Sequence, residues 1–247
     1  MEREVKIING ERTIVGDLYL PEGAGKCPMV IVSHGYNGSG YDFKMMAQEL
    51  NKHGIGAYCY DFCGGSVNAR SSMSTKEMTL FTEEEDLNAV VDEIKKLDTT
   101  DATHLYLFGA SQGGLISALV ADSRPEDIKA LVLLYPALCI ADNWRENFPK
   151  VEDIPDELDL WGMVLGRIFF ESIRDFDVFE HIGTFPKKVL LMHGDRDEIV
   201  ASAYSERAYA KYPDGELEVF TGEGHGFSEE GNVKMTSRVI DFIKKTR

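Results

Sequence analysis

Residues 109–113 have the sequence GASQG, which places Ser111 between two glycines, and a third glycine follows at position 114. An apolar run that predicts a strand precedes this serine, and a helical pattern starts directly after it. In that context the pattern is typical of a nucleophile elbow, a strained turn that exposes a serine hydroxyl above a sheet. Side chains at the flanking glycines would clash with the neighbouring strand and helix. We therefore predict that Ser111 is a nucleophile.

A serine hydroxyl needs a base to take its proton, and the chain has six histidines. His225 lies in the sequence GEGHGF (residues 222–227), a glycine-rich loop after the last predicted strand, where its side chain can turn toward the serine. It is our candidate for the base. The other histidines are interpreted as structural or solvent-facing: His34, His53, His104, His181 and His193.

The base in turn needs a carboxylate that fixes its tautomer. Residues 193–198 (HGDRDE) follow a predicted strand and contain three acids. Asp197 is the preferred candidate, because the order serine, aspartate, histidine along the chain is that of the α/β-hydrolase triad. Asp195 remains an alternative that spacing alone does not exclude, although such a residue more often hydrogen-bonds its own backbone in a turn.

A tetrahedral intermediate requires two hydrogen-bond donors for its oxyanion. The backbone N–H of Gln112, the residue after the nucleophile, is one candidate. The second is the N–H of Tyr36, which lies in the loop SHGYNG (residues 33–38) after an early apolar run. His34 in the same loop is predicted to shape it rather than to react.

The elements that must position these residues alternate between strand and helix patterns. A hairpin around Asn9-Gly10 opens the chain. Further strands are predicted at 28–33, 55–61, 105–109, 130–135, 188–193 and 217–220, and helices at 41–53, 112–122, 202–212 and 233–245. Another helix is predicted to begin with a capping box at residues 82–85, its glutamates forming a solvated face. The pattern indicates an α/β fold with a mostly parallel sheet and helices on both faces.

About fifty residues separate the strand ending near Tyr135 from the strand starting near Lys188, far more than a usual connection. This stretch contains both tryptophans, Trp144 and Trp161, and six phenylalanines. We predict one domain, residues 1–247, with a cap insertion at about 138–186. Most of the phenylalanines are expected to form the core of the cap itself.

The composition limits the partners. A formal charge of −16 disfavours nucleic acids and other polyanions. No run approaches the ~18 apolar residues of a membrane span, and the first residues lack a signal peptide, so we expect no membrane and a cytoplasmic location. The cysteines do not form a zinc pattern and are expected to be free thiols. The expected partner is a small-molecule ester, with no metal or cofactor; the chain leaves open whether it forms a homodimer.

With these residues assembled, the chain resembles the bacterial feruloyl and cinnamoyl esterases of the α/β-hydrolase superfamily over nearly its whole length. The resemblance is carried by these motifs: residues 34–36 (HGY), 60–62 (YDF), 109–114 (GASQGG), 134–137 (LYPA), 154–158 (IPDEL), 193–197 (HGDRD) and 224–225 (GH). It implies an acyl-enzyme mechanism on hydroxycinnamoyl esters, and a cap in which Trp161 lines the substrate pocket. Relatives commonly carry a Gly-His-Gly-x-Ser segment where this chain reads CGGS (residues 63–66), so the pocket is expected to differ from theirs.

Two other classes of function fit part of the pattern. A thioesterase or an acyl-peptide hydrolase would use the same triad and differ only in its leaving group. A non-catalytic ligand-binding homologue would have the same fold, but such proteins usually lose a triad member. All three candidate side chains are present here, which favours an enzyme.

Overall fold

The structure is a computed structural model that describes residues 1–23 and 25–247. These residues form ten strands: β1 (Glu2–Asn9), β2 (Arg12–Tyr19), β3 (Cys27–Ser33), β4 (Gly56–Asp61), β5 (Thr100–Ala110), β6 (Ala130–Leu134), β7 (Glu157–Leu160), β8 (Met163–Gly166), β9 (Val189–Gly194) and β10 (Gly215–Phe220). They also form seven α-helices: α1 (Lys44–Lys52), α2 (Leu80–Ile94), α3 (Gln112–Ser123), α4 (Ile140–Asn147), α5 (Arg167–Ser172), α6 (Ala203–Tyr209) and α7 (Glu229–Thr246).

Eight strands form one central sheet in the order β1-β2-β4-β3-β5-β6-β9-β10. β2 pairs antiparallel with both β1 and β4, whereas all pairs from β4 to β10 are parallel. The carboxyl ends of β3, β5, β6 and β9 therefore lie side by side along one edge, where open α/β sheets bind their ligands. The predicted α/β fold with its antiparallel opening hairpin is confirmed.

Helices cover both faces of the sheet because alternate residues of each strand point to opposite sides. On β3, Met29 and Ile31 belong to the core that includes α2 and α3, and Val30 and Val32 belong to the core that includes α1 and α7. A strand buried on both faces has no polar alternation, which explains why β3 is a continuous apolar run in the sequence.

The glutamate-rich residues 82–85 predict a cap at Thr82. In the structure, helix α2 is capped by Thr79 instead. The hydroxyl of Thr79 accepts a hydrogen bond from the N–H of Thr82 at 3.1 Å, and the hydroxyl of Thr82 accepts one from the N–H of Thr79 at 2.9 Å. The side chains of Glu83 and Asp86 face the core on the same side as Leu87, and they are 1 % and 0 % exposed. The interpretation of these glutamates as a solvated face is therefore wrong for Glu83.

Residues 138–186, called the insertion below, contain α4, the β7–β8 hairpin and α5. The hairpin forms a two-stranded sheet of its own. The rings of Trp144, Phe148 and Phe170 pack together with centroid distances between 4.7 and 5.6 Å, and Phe169 and Phe185 are buried. Phe148, Phe169 and Phe170 therefore pack within the insertion. Phe176 packs against Phe81 of α2 and Phe179 against Tyr204 of α6, so the prediction that most of the phenylalanines form the core of the cap itself is met only in part.

Membrane-spanning helices and the state of the cysteines are two further features that the sequence predicts. No helix in residues 1–23 and 25–247 combines the length and the apolar composition needed to cross a membrane. The cysteines are all buried free thiols. Burial raises the pKa of the Cys27 and Cys59 thiols, which keeps these groups protonated and unreactive.

Candidate active site

Ser111 occupies a tight turn between the end of β5 and the start of α3. Its φ of 52° lies in the left-handed region, which residues with side chains rarely adopt. Hydrogen bonds to the segment after β5 and α3 hold the turn: the Ser111 N–H donates to the Leu134 carbonyl at 3.0 Å, and the Ser111 carbonyl accepts from the Ala137 N–H at 2.9 Å, in addition to its bonds with the first turn of α3. The strained turn presents the serine side chain at the carboxyl edge of the sheet.

The glycines on either side of Ser111 leave no room for a side chain. A Cβ at Gly109 would lie 2.2 Å from the carbonyl oxygen of Gly113, and a Cβ at Gly113 would lie 2.3 Å from the carbonyl oxygen of His34. Both obstacles are backbone atoms, which cannot rotate away as a flexible side chain could. The elbow therefore requires the glycines that mark it in the sequence.

We expect Gly113→Ala to destabilise the fold by about 3 kcal/mol, because overpacking against fixed backbone forces the chain to shift. For a chain of this size, that change lowers the melting temperature by about 6–12 °C. Gly25→Ala is the matched control, since a Cβ at Gly25 meets nothing within 4 Å. Thermal unfolding followed by circular dichroism measures both variants, and equal melting temperatures would show that the elbow tolerates a side chain.

Three side chains from three loops form a hydrogen-bonded chain at this edge. The Nε2 atom of His225 lies 2.9 Å from Oγ of Ser111, and its Nδ1 atom lies 2.8 Å from Oδ2 of Asp197. A carboxylate can only accept, so Nδ1 carries the proton and Nε2 is left to accept the proton of the serine hydroxyl. The structure thus brings together the three residues that the sequence proposes as a triad.

The loop after β10 holds the imidazole of His225 in place. Gly222 and Gly226 have φ values of 87° and 82°, which favour glycine and let the loop turn back over the sheet. The ring of Tyr135 packs beside the imidazole with a centroid distance of 4.6 Å. His225 is therefore confined between an aromatic ring and the carboxylate of Asp197.

The carboxylate of Asp197 is buried, yet both of its oxygens are hydrogen-bonded. Oδ1 accepts from the backbone N–H groups of Ile199 at 2.9 Å and Val200 at 2.8 Å. Oδ2 accepts from His225 and also lies 3.2 Å from Nε2 of His193. These contacts fix the orientation of the carboxylate toward the imidazole.

The rival acid, Asp195, has a different partner. Its Oδ1 accepts a hydrogen bond from the N–H of Gly222 at 2.6 Å. The expectation that Asp195 bonds its own backbone is not met, because the loop after β10 lies close enough to supply the donor. Asp195 joins the acid loop to the loop that carries His225, and it does not contact the imidazole.

His193 supports Asp197, a role that the sequence did not indicate. Its Nε2 lies 2.9 Å from the Val200 carbonyl, and its Nδ1 lies 2.7 Å from the Ser205 hydroxyl. A carbonyl only accepts, so Nε2 carries the proton and shares it with Asp197. Burial lowers the pKa of His193, so the ring stays neutral and is held by hydrogen bonds.

The loop after β3 lies against the serine. A Cβ at Gly35 would be 3.1 Å from the Cβ of Ser111. His34 shapes this loop, since its Nε2 accepts from the N–H of Phe62 at 3.0 Å and its Nδ1–H donates to the Gly35 carbonyl at 2.7 Å. In the part of the chain that the structure describes, neither the N–H of Tyr36 nor that of Gln112 donates a hydrogen bond.

A cavity of about 290 Å³ opens beside Ser111. One wall consists of Tyr36, and another of residues 198–200 of the acid loop. The insertion supplies most of the remaining wall, which is largely apolar: Ile140, Trp144, Leu160, Trp161, Leu165 and Phe169. A concave, apolar space beside a reactive group is the usual form of a small-molecule site.

Helix α4 contributes two asparagines to this cavity that the sequence did not single out. Ile140, Asn143, Trp144 and Asn147 follow the spacing of one helical face, and all four line the cavity. That spacing is the signal that could have identified them. No helix is predicted within the insertion from the sequence, so these asparagines are absent from the predicted site.

Trp161 lines the cavity from the tip of the β7–β8 hairpin, although 67 % of its surface is exposed. Trp161 and Gly162 have φ values of 51° and 83°, the geometry of a tight two-residue hairpin turn. The hydroxyl of Tyr36 shares its one proton between the two ends of this turn, lying 3.1 Å from the Leu160 carbonyl and 3.2 Å from the Met163 carbonyl. One residue thus connects the loop beside the serine with the exposed tip of the insertion.

The chain is similar to proteins of known family. The sequence model of the family described as serine aminopeptidase, S33 matches residues 26–174, which is more than half of the chain. The matched region includes Tyr36, Ser111 and Gln112 and ends before the acid and histidine loops. Among solved structures, Est1E from Butyrivibrio proteoclasticus with ferulic acid bound has a TM-score of 0.89 at 28 % identity, and the match covers 98 % of each chain.

Two further similarities are more distant. DcsB, solved in complex with its substrate analogue, has a TM-score of 0.85 at 19 % identity, covering 100 % of this chain and 99 % of that one; it is similar in fold. The human acylamino-acid-releasing enzyme is 24 % identical over an alignment of 194 residues, and the match covers 73 % of this chain. This chain spans about a quarter of the length of that enzyme, since the match covers 25 % of it.

Proposed function

The chain belongs to the serine aminopeptidase S33 family and has the α/β-hydrolase fold, and from this premise we propose that it is a carboxylesterase acting on small hydroxycinnamoyl (feruloyl-type) esters. Membership of the family makes it a serine hydrolase. The observation that carries the proposal is the hydrogen-bonded chain of Ser111, His225 and Asp197, which opens into an apolar cavity.

In the proposed mechanism, Ser111 Oγ attacks the ester carbonyl carbon while Nε2 of His225 takes its proton. Asp197 stabilises the imidazolium, and the N–H groups of Tyr36 and Gln112 donate to the oxyanion. His225 then gives its proton to the oxygen of the departing alcohol, and an acyl-enzyme remains. A water molecule, deprotonated by the same imidazole, attacks this acyl group and releases the free acid.

The substrate class is inferred from the shape and chemistry of the cavity. Its wall of Trp144, Trp161 and Phe169 suits a flat aromatic acyl group, and its volume of about 290 Å³ suits a single ring with a short unsaturated linker. Est1E, which is similar over nearly its whole length, was solved with ferulic acid bound. Glu198 at the cavity and the net charge of −16 disfavour anionic substrates.

A second candidate function is acyl-peptide hydrolysis. It is favoured by the similarity to the human acylamino-acid-releasing enzyme, which covers 73 % of this chain. The two functions share the acyl-enzyme and differ in the leaving group, which is an alcohol in one case and an amine in the other. They are therefore separated by leaving-group preference.

A panel of substrates tests the proposal. We expect kcat/KM for methyl ferulate to exceed that for the matched ferulic acid amide and for acetyl-alanine p-nitroanilide by at least about 100-fold. p-Nitrophenyl acetate and butyrate report esterase activity without an aromatic acyl group. Preference for the anilide would favour the acyl-peptide hydrolase, and activity confined to the nitrophenyl esters would contradict the feruloyl class while leaving an esterase.

Trp161→Ala is expected to lower kcat/KM for methyl ferulate by about tenfold, because one aromatic contact contributes about 1–1.5 kcal/mol. The decrease for p-nitrophenyl acetate should be smaller, since the acetyl group is too short to reach the hairpin tip. Ile168→Ala is the matched control: it also removes an exposed apolar side chain of the insertion. Equal decreases for both esters would contradict a place for Trp161 in the acyl pocket.

A further inference from the structure

Glu83 is a buried carboxylic acid between the two segments that supply the proposed N–H donors. Its Oε2 accepts a hydrogen bond from the side-chain amide of Gln112 at 2.8 Å. Its Oε1 lies close to Gly65: a Cβ added at Gly65 would be 3.1 Å from this oxygen. The carbonyl of Gly65 in turn accepts a hydrogen bond at 3.0 Å from the N–H of Asn37, the residue that follows Tyr36 in the chain. The carboxyl group therefore bonds the side chain of Gln112, which carries one donor, and lies beside Gly65, which holds the residue after the other donor, Tyr36.

The side chain of Gln112 depends on this contact. Gln112 is 2 % exposed, so water cannot satisfy its amide group. Its other partner is the sulfur of Met78 at 3.9 Å, a weak acceptor. A buried donor that loses its acceptor is costly, so Glu83 fixes the first turn of α3 and with it the direction of the Gln112 N–H.

The protonation state of Glu83 is set by its surroundings. Burial raises the pKa of Glu83 to about 8, with a further increase from the charge of Asp86 and an opposing decrease from the hydrogen bond of Gln112. A carboxylic acid is neutral when protonated, so Glu83 is uncharged below this pKa and negatively charged above it. At neutral pH the carboxyl group is therefore mostly uncharged.

The groups that face Glu83 do not supply a compensating positive charge. Asp86 is on the same helix as Glu83. The guanidinium of Arg12 pairs with Asp86 and not with Glu83, with Nη2 of Arg12 lying 3.5 Å from Oδ1 of Asp86. From the loop after β3 comes His34, which burial keeps neutral by lowering its pKa. From β4 comes Tyr60, and burial raises the pKa of its hydroxyl. Cys63, after β4, donates its N–H to Asp86, and burial raises the pKa of its thiol.

We propose that Glu83 is a positioning residue for the oxyanion hole and that it acts in its uncharged, protonated form. Protonated, it accepts the hydrogen bond of Gln112 and holds the two donor segments in register. Ionised, it places a negative charge behind the donors and opposes the charge that develops on the substrate oxygen. The proposal rests on the proposed esterase function, because it concerns the oxyanion of ester hydrolysis.

The test is the dependence of kcat on pH, from 6 to 10, with p-nitrophenyl butyrate. In the wild type we expect kcat to fall about tenfold as the pH rises above about 8. Glu83→Gln keeps an acceptor for Gln112 and cannot ionise, so this alkaline fall should disappear. Glu83→Leu offers no acceptor and should lower kcat by about 10–100-fold at every pH.

Glu93→Gln is the matched control, because Glu93 is an exposed acid on the same helix that pairs with Lys96 at 2.7 Å. It should keep the wild-type profile. A role confined to stability would lower the melting temperature of the Glu83 variants without removing the alkaline fall in Glu83→Gln.

Identical alkaline falls in the wild type and in Glu83→Gln would overturn the proposal. A wild-type profile that stays flat from pH 7 to 10 would also overturn it, and this result does not depend on whether any variant folds. A wild type that hydrolyses the ester at no pH would contradict the esterase function itself, which distinguishes the two failures.

Discussion

Ser111→Ala should lower kcat for p-nitrophenyl acetate by about 10⁵-fold, because the change removes the hydroxyl oxygen that we propose as the nucleophile. The alanine keeps the turn, since Cβ remains and the backbone bonds of residue 111 to Leu134 and Ala137 do not involve the hydroxyl. The fold and the binding of substrate should therefore survive while the chemistry is lost. Steady-state kinetics at saturating substrate measure this directly.

Ser123→Ala is the matched control for this variant. Ser123 is on the same helix, α3, and its hydroxyl donates to the Val120 carbonyl at 3.2 Å, away from the cavity. It should retain wild-type kcat. A Ser111→Ala protein that is folded and as active as Ser123→Ala would show that another residue is the nucleophile.

Asp197→Asn should lower kcat by about 10³–10⁴-fold through the tautomer of His225. Oδ1 of residue 197 must still accept from Ile199 and Val200, so the new NH₂ group takes the position of Oδ2. There it faces Nδ1 of His225, which can no longer donate. The ring proton then moves to Nε2, the atom that must accept the proton of Ser111.

Asp195→Asn is the comparison that separates the two acids. Its Oδ1 can still accept from Gly222, because an amide oxygen is an equally placed acceptor. We expect kcat to decrease by less than about tenfold. A larger effect for Asp195→Asn than for Asp197→Asn would contradict the choice of Asp197. Both variants should be compared at the same pH and with the same ester.

The elbow could be predicted from the sequence because its chemistry is local. The strained turn at Ser111 needs glycines at fixed offsets, and the strand before it and the helix after it have strong patterns of their own. The parallel sheet followed in the same way, since strands buried on both faces are continuous apolar runs. These features require no knowledge of distant contacts.

The choice between Asp195 and Asp197 could not be derived from spacing. Both follow β9, and which one meets His225 depends on how the loop after β10 lies over the acid loop. The contact between Asp195 and Gly222 is made across that pair of loops. The support that His193 gives Asp197 also depends on the Val200 backbone turning back toward β9. Such tertiary contacts leave no local pattern.

Glu83 shows how a small error in a helix start changes the function inferred for a residue. A cap at Thr82 would have placed the glutamates at the exposed first turn, whereas the cap at Thr79 turns Glu83 inward. The reciprocal bonds between Thr79 and Thr82 do not include a glutamate, so the S/T-x-x-E pattern misleads here. Helix ends are where sequence patterns are least specific.

Tyr36 links parts of the site that the sequence suggested separately. Its N–H is a proposed oxyanion donor, while its hydroxyl holds the turn that carries Trp161. The tip of the insertion and the loop beside the serine are therefore joined by one side chain. An acyl group that displaces Trp161 would act on these same hydrogen bonds.

Covalent labelling by a fluorophosphonate, followed by intact-mass and peptide mass spectrometry, tests the central claim most directly. This reagent reacts with a serine that a neighbouring base has activated. We predict one adduct per wild-type chain, located on Ser111, and none on Ser111→Ala. No adduct on the folded wild type, or an adduct that persists on another residue in Ser111→Ala, would contradict the assignment of Ser111 as the nucleophile.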